Sequence, residues 1–294
     1  MRDSSGRFRY RSLLELASLP LAATSVLPLH MGHGEQTLDQ HLPRFLMRVL
    51  SRYEHLIMRS IDFLATRDFI YDNDFTRRLV MGVGEVVMNT INGEVLTLAE
   101  GLEMIDSVAG AGYAVAVGTC PCRRARNRIS DVLPNNTDMV FGQWAEEYLE
   151  NYPGLYHQVG REEARVLVEE FDRHGFLHQV YGFARKKGAA FVLCNCDPEV
   201  CIPLQAQKNR GFQSFRKGRS LVVVDPGACA GLAECGACLA RCPFDARVST
   251  GPAGEVNAEL CFGCGLCVAT CRGGATTLER KKGTRLIHAG RLVS

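Results

Sequence analysis

Eight cysteines toward the C-terminal end constrain this chain more than any other feature. They fall in two matching runs, Cys229-x5-Cys235-x2-Cys238-x3-Cys242-Pro243 and Cys261-x2-Cys264-x2-Cys267-x3-Cys271. Structural zinc sites use paired cysteines, and triplets followed by a single cysteine do not fit that pattern. The chain carries 13 cysteines in all, an odd number at metal-like spacing. That usage predicts reduced thiolates in a reducing compartment rather than a disulfide framework.

From about Ser220 to Lys281 the residues resemble the two-[4Fe-4S] ferredoxin family of bacteria, in which the fourth cysteine of each run ligates the other cluster. The resemblance implies one cluster on Cys229, Cys235, Cys238 and Cys271, and a second on Cys261, Cys264, Cys267 and Cys242. It also implies that folding of this segment and cluster binding are one event. Pro243 matches the family proline. Two positions depart from the pattern: the first gap is five residues rather than two, which predicts a bulged loop, and Arg272 follows Cys271 where a proline would stand. Gly236, Gly263 and Gly265 are placed to let backbone N–H groups approach sulfur. Arg241 and Arg272, each one residue from a ligand, are expected to favour the reduced cluster. Surface salt bridges are the competing reading for both arginines.

Five cysteines remain: Cys120, Cys122, Cys194, Cys196 and Cys201. Three readings compete, in this order: a third [4Fe-4S] cluster on four of the five, a zinc site, and plain thiols. A wider resemblance runs from Gly118 to about Lys281. Cys120-Pro-Cys122-Arg123, a helix like Arg161-Glu-Glu-Ala164, Gly175-Phe-Leu-His-Gln-Val180, Cys194-Asn195-Cys196 and the two runs occur in that order. This order is similar to a family of 4Fe-4S binding proteins from anaerobic metabolism. That family often carries Cys-Asn-Cys-Cys-x-Cys-Cys. Here Asp197-Pro198-Glu199-Val200-Cys201 follows instead, so several of those cysteines are absent.

Taken in order, residues 1–40 read as irregular. The basic start and the apolar stretch from Leu13 to Leu29 imitate a secretory signal, but Glu15, Pro20 and Pro28 interrupt it, and no span reaches the roughly 18 apolar residues of a membrane helix. The expectation is a cytoplasmic protein without a membrane span. His30 and His33 read as solvated loop histidines. Apolar residues recur at three and four from Leu42 to Phe69, which predicts a long amphipathic helix whose Arg44, Arg48, Arg52 and Arg59 form a solvated basic face. Further helices are expected over 75–90, 97–109, 143–152, 161–174 and from Ile202. Buried strands are expected over 113–117 and 189–193, each opening on a cysteine loop, with another over 176–183. Cysteine loops after two such strands predict that the loops meet at the strands' carboxyl ends, giving this region α/β character. In the last segment, Leu221 to Asp225 and Ala275 to Glu279 read as flanking strands, and 246–260 as a hairpin.

The fold class expected is α+β. A helical region spans 1–110, a small α/β domain with the five cysteines spans 111–218, a two-cluster ferredoxin-like domain spans 219–281, and a basic tail spans 282–294. A net charge of +2 argues against a nucleic-acid footprint. No Walker loop, dinucleotide fingerprint or serine triad is present. The expected function is electron transfer through two [4Fe-4S] clusters and a third metal centre, to or from a partner oxidoreductase. The alternatives are a redox enzyme that reduces a small substrate at the five-cysteine site, and a structural subunit of a redox complex. Tyr156, His157 and His178 are candidates to supply protons near that site.

Overall fold

The computed structural model describes residues 43–183, 190–249 and 251–282. The stretch from Leu13 to Leu29, His30, His33 and most of the basic tail lie outside the described residues. Three helices open the described chain: α1 (Arg44–Thr66), α2 (Asp68–Tyr71) and α3 (Asp74–Thr90). β1 (Ile91–Leu96) leads into α4 (Leu98–Gly110) through a capping box. There the Thr97 hydroxyl accepts from the Glu100 amide, and the Glu100 carboxylate accepts from the Thr97 amide. Next come β2 (Val115–Gly118), α5 (Pro121–Arg126), β3 (Asp138–Phe141), α6 (Gly142–Asn151) and β4 (Tyr156–Val159). They are followed by α7 (Arg161–Arg173), β5 (Leu177–Phe183), β6 (Ala190–Cys196) and α8 (Ile202–Arg210). The C-terminal unit holds β7 (Ser220–Val224), α9 (Ala237–Ala240), β8 (Arg247–Val248), β9 (Glu255–Val256), α10 (Leu266–Ala269) and β10 (Thr276–Arg280).

The chain is mixed helix and sheet, as expected for α+β. Its main sheet has the order β1-β5-β6-β3-β2-β4, and every neighbouring pair is antiparallel. The α/β reading of the middle region is therefore corrected. β2 and β6 are not neighbours, because β3 lies between them, and the sequence signalled no strand at β3. Both are antiparallel to β3, so they run in the same direction and their carboxyl ends reach the same end of the sheet. The region read as helical from 1 to 110 also contributes β1, which pairs with β5 from Ile91↔Phe183 to Leu96↔His178.

Side chains alternate across the sheet with the period of two that the pleat imposes. One face carries Leu96, Val117, Met139, Phe141, Val180 and Leu193 against Met104, Val108, Val168 and Phe171 of α4 and α7. The other carries Ala116, Val140 and Val192 against Met47, Trp144, Ala145 and Tyr148 of α1 and α6. Covering both faces explains why β2 and β6 read as unbroken apolar runs rather than alternating ones. The basic face expected on α1 is exposed, and two of its four arginines are also tied to α6. Arg44 and Arg48 both reach Glu147 of α6 at 2.8 Å, and Glu147 is fully buried.

In the C-terminal unit, β7 pairs antiparallel with β10, with Val222 opposite Leu278, and β8 pairs with β9. The segment before it runs along β1: the Val95 amide donates to Arg216 O (3.3 Å) and the Arg216 amide donates to Gly93 O (2.8 Å). The buried Arg219–Glu94 pair at 3.1 Å fixes the same junction. No described helix is long and apolar enough to cross a membrane.

Candidate metal centre

Cys242, Cys261, Cys264 and Cys267 line a single cavity with Val222, Phe244, Phe262 and Arg247. These are the four sulfurs that the resemblance groups together, three from one loop and one from the other run. Gly263 makes that loop possible. Its φ is +70°, and an added Cβ would lie 2.1 Å from the Ser220 carbonyl oxygen. Gly265 (φ +84°) starts α10 directly beneath Cys264 and Cys267. Phe244 and Phe262, one from each run, stack with centroids 4.1 Å apart. Burial drives the Cys264 thiol well above its ordinary value and pushes Cys267 up to about 11, although Arg247 pulls Cys267 back. Thiolates in such a place need compensating positive charge, which metal supplies.

Turns and glycine contacts set the first quartet. Gly273, two residues after Cys271, packs so that an added Cβ would sit 2.7 Å from Ala228 O. This places the end of the second run beside the start of the first, at Cys229. The five-residue gap forms a turn, with Gly231 at φ +87° and the Cys235 amide donating to Gly231 O (3.1 Å). The Leu232 amide donates to Pro252 O at 2.9 Å and pins that turn to the loop between β8 and β9. Burial raises the Cys271 thiol, but hydrogen bonds from the Thr276 hydroxyl and the Thr276, Ala275 and Gly273 amides outweigh it and hold the thiol below its ordinary value.

Sequence reasoning missed Arg247. It is 6% exposed, and its Nη2 donates to Cys238 Sγ at 3.3 Å and to Gly254 O at 3.0 Å. Its Nε and Nη1 are buried without a hydrogen-bond partner. A buried guanidinium without a counter-anion is costly, and the groups it faces are cysteine sulfurs. Donor set, glycine cradle and unpaired cation together fit an anionic thiolate-bound cluster. In a sequence, an arginine between Ala246 and Val248 looks like any surface residue. Arg241, the residue before Cys242, reaches the C-terminal end of α7. Its Nη2 donates to Arg173 O at 3.3 Å, and its guanidinium covers Gly175. Arg272 is exposed.

The other five cysteines come together from three segments. Cys120 caps α5 and Cys122 lies in its first turn; Cys201 caps α8; Cys194 and Cys196 stand on one face of β6. The last two were expected on a loop, but β6 runs on through Cys196. Thiols contact one another in a chain, Cys120 to Cys122 to Cys201 to Cys196 to Cys194. Pro121 follows Cys120 directly and Pro203 stands two residues after Cys201, each in the first turn of its helix, where the first amides are free to point back at sulfur. The Ile202 amide reaches Cys122 Sγ at 3.5 Å. Hydrogen bonds from Cys122 and Cys196 bring the Cys201 thiol down to about 5 despite burial. Sulfur neighbours and burial push Cys120 and Cys196 well up; the Cys120 contact lowers Cys122, but the Cys201 contact and burial outweigh it, so Cys122 also ends well up.

Cys194 differs from the other four. Its Sγ donates to Asp138 Oδ1 at 3.1 Å, and Asp138 Oδ2 accepts from the Tyr156 hydroxyl at 2.6 Å. The Cys196 contact lowers the Cys194 thiol, but burial and Asp138 push it up to about 12. Beyond Tyr156 lies Tyr148, ring centroids 4.9 Å away, whose hydroxyl donates to Glu54 at 2.7 Å. Burial and Asp138 push Glu54 up to about 8, against Arg124 and Tyr148. Of the three expected proton donors, Tyr156 is thus beside the site. His178 lies behind it, its Nδ1 2.7 Å from Asn195 Oδ1, and His157 is exposed on β4.

The two sites share a wall. Cys196 and Cys201 belong to one buried apolar cluster with Leu177, Phe215, Phe244 and Leu266, and Cys242, Cys261 and Cys264 pack against the same cluster. Among the described residues, no three Cys, His, Asp or Glu side chains close around the position of a single metal ion. No family model matches the chain, and no curated protein is significantly similar to it.

Proposed function

We propose that the chain is an iron–sulfur electron-transfer protein with a two-cluster ferredoxin-like C-terminal unit and a third cluster site in the larger part. The observation that carries this reading is the apolar wall shared by the five-cysteine group and the second quartet. Cys229, Cys235, Cys238 and Cys271 would hold one [4Fe-4S] cluster, and Cys242, Cys261, Cys264 and Cys267 the next. Four of Cys120, Cys122, Cys194, Cys196 and Cys201 would hold the third. When bound, such clusters accept and release single electrons.

The chain's own residues do the rest. Phe244, Phe262 and Leu266 exclude water between neighbouring sites, and a dry, short separation favours transfer between them. Amides at the starts of α8 and α10 present N–H groups to sulfur and stabilise negative charge there. Zinc is the weaker reading for the second quartet, because a zinc ion draws four sulfurs to one point and these four line the wall of a cavity. The electron donor or acceptor outside the chain would be a redox protein or oxidoreductase complex.

A second reading rests on Cys194. A fifth thiol, hydrogen-bonded to Asp138 and from there to Tyr156, supplies a protonated group beside the third site. That arrangement suits reduction of a small substrate, which needs protons as well as electrons. Iron analysis of anaerobically purified protein, with electron paramagnetic resonance after reduction, tests the proposal. About twelve irons per chain supports three cubanes and about eight supports the C-terminal pair alone. An iron-free, colourless preparation overturns it.

A further inference from the structure

None of the described side chains of α3 is buried, although the helix is 17 residues long. A helix of that length is marginal in water without a packed face. Phe75, Leu79 and Val83 are 75%, 57% and 51% exposed and form one stripe at helical spacing. Gly82 lies in the same stripe, at the middle of the helix, and a Cβ there would meet nothing within 4 Å. Among the described residues, the opposite side is the packed one, where Gly84 lies on Phe212.

We propose that this stripe is a homodimer interface in which α3 pairs antiparallel with α3 of a second copy. Charge selects that occupant. Arg78 and Glu85 are exposed, lie seven residues apart on one flank of the stripe, and have opposite sign. The midpoint between them falls beside Gly82, as does the midpoint between Leu79 and Val83. A two-fold axis there brings the same flanks together and sets Arg78 against the partner's Glu85, twice. Asp74 and Arg77 already pair within the helix at 2.7 Å and leave that match undisturbed. Gly82 lets the two backbones approach.

Light scattering on the full chain after size exclusion is expected to give twice the 32.4 kDa chain mass. Leu79→Glu should yield a monomer with an unchanged circular-dichroism spectrum. Arg78→Glu or Glu85→Arg alone should each raise the dimer Kd by about tenfold or more, and the double exchange should restore it to within about threefold. A monomeric wild-type chain, a dimer that survives Leu79→Glu, or a double exchange no tighter than the single changes overturns the proposal.

A different observation carries a second inference, which rests on reading the two quartets as cluster sites. Arg247 touches Cys238 of the first quartet and lines the cavity formed by Cys242, Cys261, Cys264 and Cys267 of the second. Among the described residues it has no carboxylate partner. We infer that Arg247 is a positioning residue that raises the reduction potentials of both C-terminal clusters together. Reduction adds negative charge beside a buried, unpaired cation, so the reduced states are favoured. In a redox titration followed by electron paramagnetic resonance, Arg247→Gln should lower both midpoints by about 59 mV or more, a tenfold change for one electron. Arg247→Lys should fall between. Full iron content with both midpoints unchanged in Arg247→Gln overturns the inference while leaving the cluster reading intact. Should Arg247→Gln not retain iron, Arg247→Lys with full iron decides by the same criterion. An iron-free wild-type chain defeats the cluster reading itself.

Discussion

The two cysteine-rich regions of this molecule are built in opposite ways. In the C-terminal unit the sulfurs come from two short loops within 43 residues, and local glycine turns aim them. In the larger part, five sulfurs come from three segments spread over 82 residues, brought together by a six-stranded sheet and two helix starts. On the proposed cluster reading, the first site would depend on its cofactor for its shape, whereas the second is held by a core built from the main sheet. The difference predicts that losing metal unfolds one region and leaves the other standing.

Cys267→Ala gives the largest expected effect. It should remove about four irons and make residues 219–281 sensitive to protease, while the main sheet persists, because metal binding and folding are coupled there. Equal protection of the two regions in limited proteolysis would break the contrast. Next is Cys201→Ser, which should drop iron from about twelve to about eight without new cleavage in the C-terminal unit, since α8 and β6 stay packed.

A smaller effect tests the proton-bearing groups beside the third site. A carboxyl whose folded value lies above its unfolded one binds its proton more tightly when folded. Glu54, at about 8 in the folded chain, therefore stabilises the fold least when ionised, and stability should fall as pH rises from about 5 to 8. Asp138, also raised by burial, acts in the same sense. Glu54→Gln should flatten the slope by at least about 1 kcal/mol over that window. Parallel urea-denaturation curves for the two chains at pH 5 and 8 would remove Glu54 from the account. The smallest effect is Thr97→Ala, which deletes the capping box of α4 and should cost about 1 kcal/mol with iron content unchanged. An iron loss there would show that the junction with the C-terminal unit, not the cap, depends on Thr97.

How much was legible in advance follows the same division. The resemblance to two-cluster ferredoxins grouped Cys242 with Cys261, Cys264 and Cys267, and those four do line one cavity. Helix boundaries were readable where a cap or a glycine marks them, as at Gly175 after α7. Strand β3 was not readable, because Asp138–Phe141 is four residues long and gains its identity from pairing with β2 and β6. Arg44 and Arg48 were read as a solvated face, since Glu147 lies about a hundred positions away and only packing of α1 on α6 brings it near.

Local covalent order determined the cysteine runs, the turns that glycine permits at Gly263 and Gly265, and the amphipathic helices, because each involves residues a few bonds apart. The tertiary structure decided which sulfurs of the five-cysteine group touch, that Cys194 alone meets Asp138, and that a lone arginine is buried between two quartets. Those facts depend on chain segments far apart in sequence. Their encounter is set by the burial of both faces of an antiparallel sheet, which no short-range pattern encodes.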